Sequence, residues 1–310
     1  MEVWTANRVG FCPGVKRAFD LALRALSREK PVYFLGELVH NSQAVKMLEE
    51  EGGIIVTDPE DIPPFSLVVT RSHGLEKRIK EFLESRQVKI IDTTCPRVKK
   101  VQILAQELEK KGYNLVILGS SKHPEVRALL SFISQKALVL EKKEEWGKLR
   151  NFSPQEKLAV VEQTTFPREI KEEFTQEIKE EFTHLNLEVF DTLCAETEMR
   201  QRDLVESIKL HKVNKVVVVG GKNSSNTKAL FLTARRLGIE SIWVERVEEL
   251  EEGYGDKEDR ILVVSGTSTP HFSVEDVVKK LKAREASFYE RKSADGSHHR
   301  ENKCGEIHSI

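Results

Sequence analysis

The sequence predicts an α/β protein made of three similar units. Three observations predict this. Short apolar runs alternate with amphipathic stretches, a cysteine recurs at the same kind of position in three stretches of chain, and a strand–Gly–polar loop–helix pattern follows each cysteine at a nearly fixed distance.

The apolar runs read as strands: VYFLG (32–36), LVVT (67–70), VKII (88–91), LVILG (115–119), ALVL (137–140), LAVV (158–161), KVVVVG (215–220) and ILVVSG (261–266). Helix-like stretches lie between them. Residues 13–28 put Val15, Phe19, Ala22 and Leu26 on one face, and 97–111 do the same with Val98, Val101, Leu104 and Leu108. Residues 168–183 repeat EIKEEFT at a spacing of eight. Their Ile170, Phe174, Ile178 and Phe182 stripe reads as an amphipathic surface helix with the charges as its wet face. Strands that alternate with helices imply parallel sheets. From about 286 the chain is polar and without a period, and a loose tail is expected there.

Composition narrows the function classes. Among 310 residues, 50 acids face 49 bases, so no whole-molecule field argues for nucleic acid or an anionic membrane surface. No apolar run is long enough to span a bilayer. The opening MEVWTANRVGFCPG has no signal-peptide apolar core, so a cytoplasmic location is expected. Four scattered cysteines do not make a disulfide framework; in a reducing compartment they are core fillers, metal ligands or nucleophiles.

The repeats carry the most information. FCPGVKRAFDLA (11–22), TCPRVKKVQILA (94–105) and LCAETEMRQRDLV (193–205) each place a cysteine at a strand end, just before a helix. Cys12, Cys95 and Cys194 are 83 and 99 residues apart. LGELVHNSQAV (35–45), LGSSKHPEVRAL (118–129) and VGGKNSSNTKAL (219–230) follow, with Gly36, Gly119 and Gly220 placed 24, 24 and 26 residues after their cysteines. His40 and His123 each lie 28 residues after theirs, and the third copy has Asn223, Ser224, Ser225 and Asn226 in that place. A looser third set is VTRSHG (69–74), VEQTTF (161–166) and VSGTSTP (264–270). The boundaries expected are 1–95, 96–193 and 194–285, with 286–310 as tail and the N-terminal strand a candidate to pair with the third unit.

Ligands in parallel α/β sheets bind at the carboxyl ends of the strands. Three units around a pseudo-threefold axis would bring the cysteines together there, ringed by polar loops. Three thiolates suit an iron–sulfur cluster or zinc, and the absence of any CxxC pair excludes zinc-ribbon spacing. A [4Fe–4S] cluster held by three cysteines keeps one iron open, a Lewis acid as well as an electron donor. Three structural core cysteines are the alternative, and their common register argues against it. His40, His73 and His123, with helix N-termini and Ser and Asn donors, form an anion site that a diphosphate fits. Protonated rings would hold such an anion more tightly, so affinity is expected to fall as pH rises through the imidazole range. NSSNTK (223–228) also reads as an N-cap cluster, Glu125 as a first-turn acid facing the helix dipole, and Ser268 and Thr164 as turn residues. There is no GxxxxGK[ST] and no GxGxxG, so no P-loop or dinucleotide site is indicated.

Taken together, FCPGVKRA, GELVHN, RSHG, DTTCPRV, GSSKHPEV, EQTT, CAET, KNSSNT and SGTSTP resemble the 4-hydroxy-3-methylbut-2-enyl diphosphate reductase family, from near residue 5 to about 280. The resemblance implies three α/β units in a trefoil around a central [4Fe–4S] cluster on Cys12, Cys95 and Cys194, whose open iron takes the substrate hydroxyl. It implies diphosphate binding by His40, His73, His123, Ser224, Ser225, Asn226 and Ser268. Glu125 and the adjacent Thr164 would handle protons, with Thr164 also meeting the substrate. The implied reaction is reductive dehydroxylation of (E)-4-hydroxy-3-methylbut-2-enyl diphosphate to isopentenyl and dimethylallyl diphosphate. This is the last step of the non-mevalonate isoprenoid pathway, and ferredoxin or flavodoxin would supply the electrons. Cys304 falls outside the pattern and is not a ligand candidate. The other reading left open is a non-catalytic, metal- or cluster-binding sensor or scaffold.

Overall fold

The computed structural model describes residues 1–134 and 137–295, with side chains to Ser287. Its strands are β1 (Glu2–Thr5), β2 (Val32–Leu35), β3 (Gly53–Val56), β4 (Leu67–Val69), β5 (Lys89–Ile91), β6 (Tyr113–Leu118), β7 (Leu138–Leu140), β8 (Lys157–Glu162), β9 (Asn186–Val189), β10 (Lys215–Val219), β11 (Glu240–Val244) and β12 (Arg260–Ser265). The α-helices are α1 (Pro13–Arg28), α2 (Ser42–Glu50), α3 (Lys77–Ser85), α4 (Pro96–Lys110), α5 (Pro124–Ser131), α6 (Arg168–Glu181), α7 (Ala195–His211), α8 (Ser225–Arg236) and α9 (His271–Asp295).

The strands form three four-stranded sheets, ordered β3-β2-β4-β5, β7-β6-β8-β9 and β11-β10-β12-β1, and every pairing is parallel. The α/β class and the three units read from the sequence are therefore what the chain adopts. The third sheet closes the design. Its fourth strand, β1, comes from the start of the chain and pairs with β12 as Glu2↔Arg260 through Thr5↔Val263. Each fourth strand then runs on into a cysteine: β1 into Cys12, β5 into Cys95 and β9 into Cys194.

Central strands are fully covered on both faces by helices, which is why they read as unbroken apolar runs. Val216–Val219 and Ile261–Val264 are all buried, each side chain contributing about 1.5–3 kcal/mol by leaving water. Among the outer strands, β1 pairs with the third unit as the N-terminal strand was expected to, whereas β3, β9 and β11 were not anticipated. NLEV and ESIWV mix polar with apolar residues because edge positions are half exposed, so no continuous run announces them, and GIIV is an apolar run of only four residues that opens on glycine.

The helices follow their apolar spacing. Helix α1 starts on Pro13 and buries Val15, Ala18, Phe19, Ala22, Ala25 and Leu26 against the first sheet. Helix α6 seats Phe174, Ile178 and Phe182 in the second unit's core. Its wet face is not wholly wet: Lys171 is buried and pairs with Glu162 at 3.2 Å and Asp191 at 2.8 Å. The expected loose tail from 286 is a correction. Helix α9 continues through Asp295, because AREASFYERKSAD is rich in good helix formers and meets no Gly or Pro before Gly296. Residues 296–310, Cys304 among them, lie outside the described residues. Among the described residues no helix is long and apolar enough to cross a membrane.

Candidate active site

Each cysteine is the N-cap of a helix: Cys12 of α1, Cys95 of α4 and Cys194 of α7. Pro13 and Pro96 follow the first two at the first helical position, where a missing N–H costs nothing. Each cysteine N–H donates to a loop carbonyl at the end of a central strand: Cys12 to Thr267 at 3.0 Å, Cys95 to Ser72 at 2.9 Å and Cys194 to Thr164 at 2.8 Å. These acceptors share one column of the repeat VTRSHG, VEQTTF, VSGTSTP. The weakest of the sequence repeats is thus the one that ties all three cysteines in place.

Burial pushes the Cys12 thiol up against the pull of the Val15 N–H and the Arg200 charge, and Cys95 and Cys194 push it further. Burial likewise raises Cys95, with Cys194 and Glu125 adding to it. Cys194 thus lies close enough to act on both of the other sulfurs, and sulfurs crowded in this way become thiolates together only against a cation. A set of three sulfurs suits iron–sulfur or zinc chemistry. A Cβ on Gly14 would sit 2.7 Å from Cys95 Sγ and 3.9 Å from Cys12 Sγ, so the space beside the sulfurs admits only glycine. The three cysteines therefore fit a cluster.

A second ring is made of imidazoles. The His40 and His73 rings stack at 4.3 Å between centroids, and His123 stands edge-on to both at 5.6 and 5.3 Å. His123 caps α5, and its Nδ1 accepts the Glu125 N–H at 3.2 Å. His40 Nδ1 faces Glu37 Oε2 at 3.3 Å, and Asn223 Nδ2 donates to the same oxygen at 2.9 Å. The ligand nitrogens of the three rings lie within 4.8 Å of one another, close enough for a metal ion. However, a ring whose Nδ1 accepts a backbone N–H carries its proton on Nε2. That is the wrong tautomer for binding a cation there and the right one for donating to an anion.

Burial first, then the charges of His40, His123 and Arg71, hold His73 well below the imidazole range. Burial, with His40 and Arg71, lowers His123 to about 4. The expected tightening by protonated rings is thus corrected for these two, which burial holds neutral near neutral pH. Arg71, fixed by Nε and Nη2 to the Leu35 carbonyl at 3.3 and 3.2 Å, supplies a charge that does not titrate in this range.

The rings line a cavity of about 50 Å³ together with Val15, Val39, Ser72, Thr165, Ser224, Ser225, Asn226, Thr267 and Ser268. That volume holds a water or two. A groove of about 230 Å³ shares Thr165 and Ser225 with it and leads out past Lys228 and Leu232. The roomier cavity of about 430 Å³, walled by Thr70, Ile103 and Phe132, includes none of the histidines or cysteines. Ser224 Oγ caps α8 by accepting the Thr227 N–H at 3.3 Å, and Ser268 Oγ donates to the His40 carbonyl at 3.1 Å. Asn226 differs: it is 1 % exposed, and neither its Oδ1 nor its Nδ2 has a partner. His73 Nδ1 is also buried without one. Orphaned buried polar atoms on a cavity wall call for a ligand.

Glu125 and Thr164 join the two rings. The Thr164 N–H donates to Glu125 Oε1 at 2.7 Å and its hydroxyl to Oε2 at 2.8 Å, while the Thr164 carbonyl takes the Cys194 N–H. Burial raises the Glu125 carboxyl to about 7 against the pull of both Thr164 bonds. All twelve residues singled out in the sequence thus fall on these two rings or the bridge between them. Sequence reasoning missed Thr165, Ser72, Thr267, Glu37 and Arg71. Aligning the third repeat by column would have found three of these: Ser72 and Thr267 share the Thr164 column, and Thr165 shares that of His73 and Ser268.

A family profile described as LytB protein matches residues 3–282. A relative from Dictyoglomus thermophilum named 4-hydroxy-3-methylbut-2-enyl diphosphate reductase is 35 % identical over 283 residues, covering 91 % of this chain and 97 % of its own. A relative of the same name from Caldanaerobacter subterraneus is 37 % identical over 287 residues, with the same coverage. The solved structure of the E-1-hydroxy-2-methyl-but-2-enyl-4-diphosphate reductase from Plasmodium falciparum superposes with a TM-score of 0.84 at 29 % identity, over 90 % of this chain and 87 % of that one.

Proposed function

The chain belongs to the LytB family, and we propose from that membership that it is a 4-hydroxy-3-methylbut-2-enyl diphosphate reductase whose chemistry runs between the cysteine ring and the imidazole ring. The reaction takes the allylic hydroxyl off (E)-4-hydroxy-3-methylbut-2-enyl diphosphate. Two electrons and two protons enter, water leaves, and isopentenyl or dimethylallyl diphosphate remains. This is the terminal step of the non-mevalonate route. The observation that carries the reading is Asn226, buried with both amide atoms unpartnered beside three histidine rings and one glutamate bridge away from three cysteines.

A [4Fe–4S] cluster on Cys12, Cys95 and Cys194 would supply the electrons and a Lewis-acidic iron. The chain's own residues do the rest. His123 Nε2–H, His73, Ser225 and Asn226 donate to the diphosphate, and Ser224 and Ser268 shape the wall on which it rests. The N-terminus of α8 adds its dipole, and Arg71 its fixed charge. Glu37 orients His40 through Nδ1. A diphosphate anchored this far from the hydroxyl spends its binding energy on positioning. Glu125, with its carboxyl near 7, holds a proton at neutral pH and can release it to the departing hydroxyl, while Thr164 fixes both of its oxygens. The 50 Å³ cavity adjoins the 230 Å³ groove at Thr165 and Ser225, which offers the diphosphate a way in. The units are taken as 1–95, 96–193 and 194–285, ferredoxin or flavodoxin as the electron donor, and the cytoplasm as the location.

The test is anaerobic. Reconstituted protein with a reduced viologen should consume the allylic diphosphate and release both five-carbon products. Protein that binds iron and sulfide stoichiometrically but turns over no substrate would instead be a cluster-binding sensor.

A further inference from the structure

Arg200 has no role in the reading so far, and its surroundings are unusual. It lies on α7, six residues after Cys194, and is 4 % exposed. Its Nη2 donates to the Gly10 carbonyl at 2.8 Å. Its Nη1 donates to the Ser265 carbonyl at 3.0 Å, to Ser265 Oγ at 3.3 Å and to the Gly266 carbonyl at 3.3 Å. Its Nε is buried without a partner. Among the described residues no carboxylate comes within ion-pair distance of it. The two acids nearby are committed elsewhere: Asp203 accepts from Asn7 Nδ2 and the Arg8 N–H, each at 2.8 Å, and Glu196 faces Arg8 at 3.9 Å.

A guanidinium this deep is costly without a counter-charge, because neutral carbonyls replace only part of its lost hydration. The group whose charge acts on it most strongly is the Cys12 sulfur, and the effect is mutual. The geometry explains the proximity. Gly10 precedes Cys12 by two residues, and Ser265 and Gly266 precede Thr267, whose carbonyl holds the Cys12 N–H. Arg200 therefore grips both backbones that position Cys12, and does so from the helix that Cys194 caps.

We propose that Arg200 is the built-in counter-charge of the cysteine-held centre, a positioning residue that favours its reduced state as it braces Cys12 against Cys194. The proposal rests on the cluster reading above. Three thiolates on a [4Fe–4S]²⁺ core leave one net negative charge, and the electron that reduces the core adds a second. A fixed positive charge in a water-poor site stabilises the more negative state and so raises the reduction potential. Lys16, Arg17, Arg97 and Lys100 lie near the same helix ends but are exposed, and solvent and salt screen them.

The experiment is a redox titration of the anaerobically reconstituted protein, followed by electron paramagnetic resonance, on wild type, Arg200→Met, Arg200→Gln and Arg200→Lys. The neutral variants should move to lower potential by about tenfold in the reduction equilibrium, ~59 mV for one electron. Arg200→Lys, which keeps the charge but not the fork, should stay within about threefold of wild type. A purely structural clamp predicts that Arg200→Lys suffers as much as Arg200→Gln, or that no cluster-replete variant shifts; either result overturns the proposal. If the neutral variants fail to hold a cluster, retention of a wild-type potential by Arg200→Lys supports it, and loss of the cluster from Arg200→Lys as well overturns it. Wild type that takes up no cluster would instead defeat the underlying cluster reading.

Discussion

The first two units and the third share a scaffold but not a chemistry. All three run their fourth strand into a cysteine N-cap and tie that cysteine to a central-strand loop. At the next loop they part. Counting from the Gly that opens it, the columns read His40, His123, Ser224; then Asn41, Pro124, Ser225; then Ser42, Glu125, Asn226. Asn41 spends its carbonyl on the Ala44 N–H, an ordinary helix cap. Asn226 spends nothing on the protein. The lesson is that agreement among the repeats marks what holds the common centre, and disagreement marks what handles one asymmetric substrate.

The largest effects test the agreement. Ser in place of Cys12, Cys95 or Cys194 should each remove most of the iron and sulfide, to a similar extent, because the three positions are equivalent. Metal analysis of the three variants checks it, and a single cysteine that proves dispensable would break the equivalence. Next comes a position where the repeats disagree. Glu125→Gln keeps the size and the reach to Thr164 but cannot give up a proton. Turnover should fall by about 10²-fold or more with the cluster spectrum and substrate binding retained. Near-wild-type turnover by a cluster-replete protein would return Glu125 to the role of a first-turn acid.

The two kinds of position were not equally legible. Cysteine spacing and the Gly-loop register are local facts of sequence, and they located both rings. Central strands were legible because burial on both faces removes polar residues, whereas β9 and β11 lie at edges where no such filter acts, and β3 is too short a run to stand out. The continuation of α9 was hidden because helix propensity without an apolar stripe reads as tail. Arg200 was beyond reach, since its bond to Gly10 spans 190 residues and an arginine on a helix is normally a surface residue. The burial that holds His73 and His123 neutral is likewise a property of packing, which sequence types do not carry.

A finer contrast sets Asn226 against Asn41. Asn226→Ala should weaken binding of the diphosphate substrate about tenfold or more, the worth of a donor to a charged group, with little change in melting temperature. Asn41→Ala should do the reverse, costing about 1 kcal/mol of stability through the lost cap and little affinity. Calorimetric titration and thermal denaturation on both proteins read the two effects separately. An Asn226 variant that loses stability and keeps its affinity would make the third loop an N-cap cluster like the others.

The smallest effect concerns two neighbours whose titrations oppose each other. His123 sits near 4 in the folded protein and near 6.5 unfolded, so between those values the unfolded chain binds more protons and stability rises with pH. Glu125 sits near 7 folded and near 4.5 unfolded, so in the overlapping window the folded chain binds more protons and stability falls with pH. From about pH 4.5 to 6.5 the two slopes offset each other. Removing one exposes the other. Glu125→Gln should gain about 2 kcal/mol of stability relative to wild type as pH rises through this window. His123→Asn, which can still accept the Glu125 N–H, should lose a similar amount relative to wild type over the same range. Denaturant midpoints for the three cluster-free proteins at pH 4.5, 5.5 and 6.5 would show the divergence. Parallel curves would mean that burial does not hold these two groups as the packing implies, and the proton-holding role of Glu125 would lose its physical basis.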